Sequence, residues 1–139
     1  MKFSLRSSFA KYVLVLFFAV LALTIAGRMV TLTNAWAFCQ GAFFCVPSAP
    51  LGWMKLAHMS LVGVASVLMV MVFRKAWREQ REHRILLPLT TILGVMFFGQ
   101  ALVGAMQVTK LYPAHLVFLH QLTTVALWVS LALLVYASG

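Results

Sequence analysis

Residues 114–137 read AHLVFLHQLTTVALWVSLALLVYA, a stretch without lysine, arginine, aspartate or glutamate and long enough to cross a bilayer as one helix. A backbone in lipid finds no water to bond, so such a segment must satisfy its own N–H and C=O groups as a helix. Three more stretches read the same way, about Tyr12 to Val30, Leu56 to Phe73 and Ile85 to Val108. The expectation is an all-α membrane protein, a four-transmembrane-helix up-down bundle forming one membrane domain over residues 1–139.

Composition agrees, with 63% hydrophobic and 9% charged residues, against roughly 25% charged in soluble domains. The only acids are Glu79 and Glu82, and the net charge is +9. That charge does not signal nucleic acid, because the cations flank apolar segments. Lys2, Arg6 and Lys11 precede the first span, and Arg74, Lys75, Arg78, Arg81 and Arg84 lie between the second and third. By the positive-inside rule both termini face the cytoplasm of an integral cell (inner) membrane protein. The basic start followed by Ala35-Trp36-Ala37 also resembles a secretory signal with its cut site. The apolar stretch is long for that purpose and Arg28 interrupts it before the cut, so the first helix is read as retained.

The outer loop, 31–54, is broken by Gly41, Pro47, Pro50 and Gly52 and contains both cysteines. Cys39 and Cys45 lie on the extracytoplasmic side by this topology, where a loop-closing disulfide is the natural reading and two unlinked thiols the alternative. Zinc is disfavoured for want of a second ligand pair nearby. The inner loop RKAWREQREHR, 74–84, reads as a solvated helical extension in which His83 is a surface histidine and anionic lipid a candidate contact. Gln100 and Gln107 share one face of the third span, where hydrogen bonding between helices is favoured over ligand contact, and the span methionines are read as packing filler.

His58 and His120 stand apart, because an ionisable side chain inside a membrane is costly and marks function by default. The second and fourth helices of such a bundle lie diagonally and run in the same direction. At 1.5 Å per residue His58 is roughly 7 Å below Trp53 and His120 roughly 10 Å below Pro113. Haem fits this pair better than a bare metal, which would want three or more ligands where the spans offer no carboxylate. Arg28, Lys55 and Lys110 are the outer-side cations and the candidate propionate partners, with plain snorkelling as the alternative. His115, five residues before His120 and on another face, is read as interfacial.

Over nearly the whole chain, GRMVTLTNAWAFCQGAFFC (27–45), KLAHM (55–59) and GQALVGAMQVTKLYPAHLVFLH (99–120) resemble the amino-terminal half of heme A synthase in order and spacing. The outer cysteine pair, QALVGA and the histidine of FLHQL are the most specific parts. The resemblance implies a four-helix half of an eight-helix arrangement, His58 and His120 as haem axial ligands, a Cys39–Cys45 disulfide and a part in oxidising heme O towards heme A. The family's Glu-x-x-His-Arg is replaced by Lys55-Leu56-Ala57-His58-Met59, so both the acid and the arginine are missing. Three functions follow as expectations: a compact heme A synthase working as a homo-oligomer, a non-catalytic bis-histidine haem b protein in electron transfer or a larger respiratory complex, and a haem-free structural subunit.

Overall fold

A computed structural model describes residues 7–33, 35, 50–109 and 113–139. Cys39, Cys45 and Lys110 lie outside the described residues. The described chain is all helical, with α1 (Ser8–Leu32), α2 (Pro50–Glu79), α3 (Leu86–Thr109) and α4 (Ala114–Ser138). Each is long and apolar enough to cross a membrane, which makes this an integral membrane protein.

Local chemistry sets the helix ends. Ser7 caps α1, its hydroxyl accepting the Ala10 N–H at 3.0 Å. Helix α2 takes in Pro50 to Met54, which composition assigns to the loop, and opens on a proline whose missing N–H costs nothing in a first turn. At its far end α2 runs on through Arg74–Glu79, held there by a Lys75–Glu79 ion pair of 2.8 Å with i,i+4 spacing. Lys75 also lies 4.9 Å from the centre of the Tyr12 ring, tying the end of α2 to α1. Helix α3 begins at Leu86, where the His83 Nδ1 accepts the N–H groups of Ile85 (3.2 Å) and Leu86 (3.1 Å). His83 is exposed, as a surface histidine should be, and it also fills the role usually given to Ser, Thr, Asp or Asn.

The helices pair as two hairpins, α1 with α2 and α3 with α4, and the hairpins meet less extensively through α2 with α3 and α1 with α4. This leaves α2 and α4 diagonal. The buried apolar cluster is confined to one half of the bundle: Phe9, Val13, Leu16 and Val20 of α1, Ala65, Met69, Val72 and Ala76 of α2, Leu86, Leu93 and Phe97 of α3, and Leu127, Leu131 and Leu134 of α4. All of these lie towards the α2–α3 turn, called the arginine end below. Among the described residues the other half, the histidine end, contributes nothing to that cluster.

A polar belt separates the halves. Trp128 of α4 donates its indole N–H to Thr24 of α1 at 3.1 Å, and its ring meets Phe17 edge to face at 5.4 Å. On the other side Gln100 of α3 bonds Thr123 and Thr124 of α4. Thr24 also returns its hydroxyl to the Val20 carbonyl at 2.8 Å, so the belt is internally satisfied. The cap on α3 supplies the first prediction. His83→Ala should lower stability by about 1 kcal/mol in a detergent unfolding titration, and His83→Asn should recover most of it.

Candidate functional site

His58 and His120 occupy equivalent places in the two hairpins. The first stands eight residues into α2 and the second six into α4, depths of about 12 and 9 Å from the helix starts. Both helices run inward from the histidine end, so the rings sit at nearly one level.

Each ring is seated against a glycine of its hairpin partner. A Cβ built on Gly27 of α1 would meet His58 Cε1 at 2.9 Å and Nδ1 at 3.3 Å, and one built on Gly104 of α3 would meet His120 Cε1 at 3.3 Å. The first distance is closer than a side chain tolerates, so Gly27 is there because a helix with any other residue could not approach the imidazole. The two glycines are themselves equivalent, each five residues before the last residue of its helix, Leu32 and Thr109. The hairpins thus repeat one device, a glycine on the first helix and a histidine on the second.

The Nδ1 atoms of His58 and His120 are the buried side-chain nitrogens and oxygens without a hydrogen-bond partner among the described residues. Gln100 donates to the His120 carbonyl at 2.9 Å and holds Thr124 next to it, which fixes the backbone that carries the second imidazole. This is the interhelical role expected of Gln100, and it makes Gln100 a positioning residue for His120.

The neighbouring cations separate. Lys55 is buried, at 4% exposure, one turn before His58 on α2, although a lysine is among the least readily buried residues. Arg28 is exposed next to Gly27, and His115 is exposed at the start of α4. Among the described residues no group of three or more His, Cys, Asp or Glu is placed to hold a bare metal ion. Neither the seat role of Gly27 nor the capping role of His83 is visible in the sequence, where His83 reads only as a surface histidine. Gly27 lies at a span end beside Arg28, where a glycine has several uses, and its seat role depends on the register of a second helix.

Fold and site define a class, a four-helix integral membrane protein with one seated histidine in each hairpin. No protein-family model matches the chain, and no solved structure matches it. Over 84 residues the chain is 32% identical to a protoheme IX farnesyltransferase of Roseiflexus castenholzii (strain DSM 13941 / HLO8). The match takes in 60% of this chain and 16% of that relative, so the chain spans only a small part of the protein it resembles.

The seats predict an ordered pair of variants. Gly27→Ala should cost about 1 to 3 kcal/mol, since the ring or the helix must move. Gly104→Ala, whose Cβ would sit 0.4 Å further from the ring by the two Cε1 distances (3.3 against 2.9 Å), should cost less. Unfolding titrations of the two proteins check the order. Gln100→Leu should cost about 0.6 kcal/mol, the usual value of a hydrogen bond between membrane helices.

Proposed function

We propose that this chain is a membrane haem protein in which His58 and His120 ligate the iron from α2 and α4. The observation that carries this reading is the doubled seat. Two imidazoles at one level, each laid on a glycine, leave buried ring nitrogens without a partner inside the described protein. Such a nitrogen costs free energy in a membrane interior unless something bonds the ring. A neutral imidazole has one lone pair, and giving it to iron leaves the other ring nitrogen as an N–H donor. Because the apolar cluster ends below the polar belt, a flat macrocycle would sit in the half of the bundle that the cluster leaves out.

The remaining residues take supporting parts. Buried Lys55 one turn from His58, with Arg28 and Lys110, would partner the propionates at the same end. Gln100 holds α4 in register, and the two glycines let the helices close on the rings. Bound haem would supply one-electron chemistry. The chain's own contribution is orientation and the exclusion of water. Next to His58 stand Lys55, Leu56, Ala57 and Met59, none of which accepts a proton as a carboxylate does. A bis-histidine haem b acting in electron transfer, alone or in a larger respiratory complex, is therefore the first reading. A second reading, oxidation of heme O towards heme A by a homo-oligomer, is favoured by the sequence resemblance and by a relative whose name places protoheme IX among its substrates. In both, the termini are cytoplasmic, and Cys39 and Cys45 form an extracytoplasmic disulfide.

A reduced-minus-oxidised spectrum of the purified protein should show a low-spin bis-histidine haem, and absence of haem bands would reject the proposal. His58→Ala and His120→Ala should each abolish or shift those bands. Expression with heme O separates the two readings. Its conversion would establish the enzyme, and its persistence unchanged beside a b-type signal would establish the carrier.

A further inference from the structure

Helix α2 has a second ordered face, directly opposite the one that joins the core. The core side carries Ala65, Met69, Val72 and Ala76. Rotated by about half a turn, at helical spacing, come Val64, Val67, Met71, Arg74 and Arg78, with Arg81 in the turn that follows. The apolar members are 55%, 61% and 40% exposed, so they face the hydrocarbon. Gly63 makes a notch beside them, since a Cβ there would find nothing within 4 Å. Trp77 borders the arginines, 43% exposed and 6.0 Å from the Phe73 ring, in the position of an interfacial aromatic.

This face has the polarity of a phospholipid standing upright. An apolar track of about two turns passes without interruption into three arginines spaced three or four residues apart. Arg74, Arg78 and Arg81 are exposed and make no ion pair among the described residues. The acid nearest to them on α2, Glu79, is turned to Lys75 on the neighbouring side of the helix, and exposed Glu82 is the opposing charge of the turn. Guanidinium groups one turn apart can bracket a phosphate through paired N–H donors. A zwitterionic headgroup would bring its own cation against three arginines, whereas an anionic one would not.

We propose that this face of α2 is a binding site for an anionic phospholipid, with an acyl chain along Val64, Val67 and Met71 and the phosphate held by Arg74, Arg78 and Arg81. The site is independent of the histidines and lies at the other end of the bundle. It differs from diffuse attraction to the basic end because the charges continue one apolar track on one helix.

The test uses the full chain in vesicles of equal parts phosphatidylcholine and phosphatidylglycerol, extracted gently so that co-purifying lipid can be quantified. Phosphatidylglycerol should be enriched by about five-fold or more, as one basic residue near an anionic headgroup supplies. The enrichment should fall to parity in R74Q/R78Q/R81Q and persist in K11Q, which removes a cation at the same end but on α1. If the triple variant fails to fold, R78Q alone should show a smaller drop. Wild-type parity, enrichment that survives the arginine changes, or an equal loss in K11Q would overturn the proposal. Displacement of the lipid by added inorganic phosphate would also overturn it, by assigning the arginines to a free anion.

Discussion

Close approach of helices is the constraint on which this structure depends. In lipid, hiding apolar side chains between helices gains little, because the surrounding tails are equally apolar, and association rests on tight packing and interhelical hydrogen bonds. The chain meets that condition by laying an imidazole on a glycine in each hairpin. The same contact that lets the helices close fixes the height and direction of the ring. Packing and site geometry are therefore one feature, and a change to either glycine acts on both.

The bundle is organised in layers along its axis. Apolar side chains fill the arginine end, the belt of Thr24, Trp128, Gln100, Thr123 and Thr124 crosses the middle, and the histidines lie beyond it. The Trp128–Thr24 bond joins α4 to α1 and so ties one hairpin to the other, while the Gln100 bonds to Thr123 and Thr124 hold α3 to α4 within the second hairpin. A buried cation, Lys55, stands in the histidine half and none stands in the apolar cluster. Polar chemistry is gathered where the packing has been relieved of carrying the core.

Much of this was legible in the sequence because the membrane imposes long apolar periods. Four long apolar stretches, three of them free of Lys, Arg, Asp and Glu, with a basic interval between the second and third, leave little choice of fold, and the two histidines stand out against them. Gln100 was readable as glue between helices, since an amide in a span must find a partner. Other features were not legible, for physical reasons that differ. Gly27 matters through a distance to another helix, which no local pattern encodes. His83 caps α3 although its type is not a usual capping residue, and it sits in a charged run that masks the signal. Pro50 reads as a loop breaker and proves to be the first residue of α2, because the same fixed φ serves both uses.

The distribution of one glycine-seated histidine to each hairpin has a consequence for how the molecule is assembled. A hairpin of two spans enters and leaves on the same side of the membrane and can insert as a unit, yet it carries only half of the paired arrangement. Neither α1–α2 nor α3–α4 can present both seated rings to a common ligand until the other has docked. Any molecule that needs both imidazoles therefore recognises only the finished tertiary structure, and its capture draws the equilibrium towards the docked pair by mass action. Uptake of such a molecule, were it this protein's ligand, would act as a proofreading step on the meeting of its two halves.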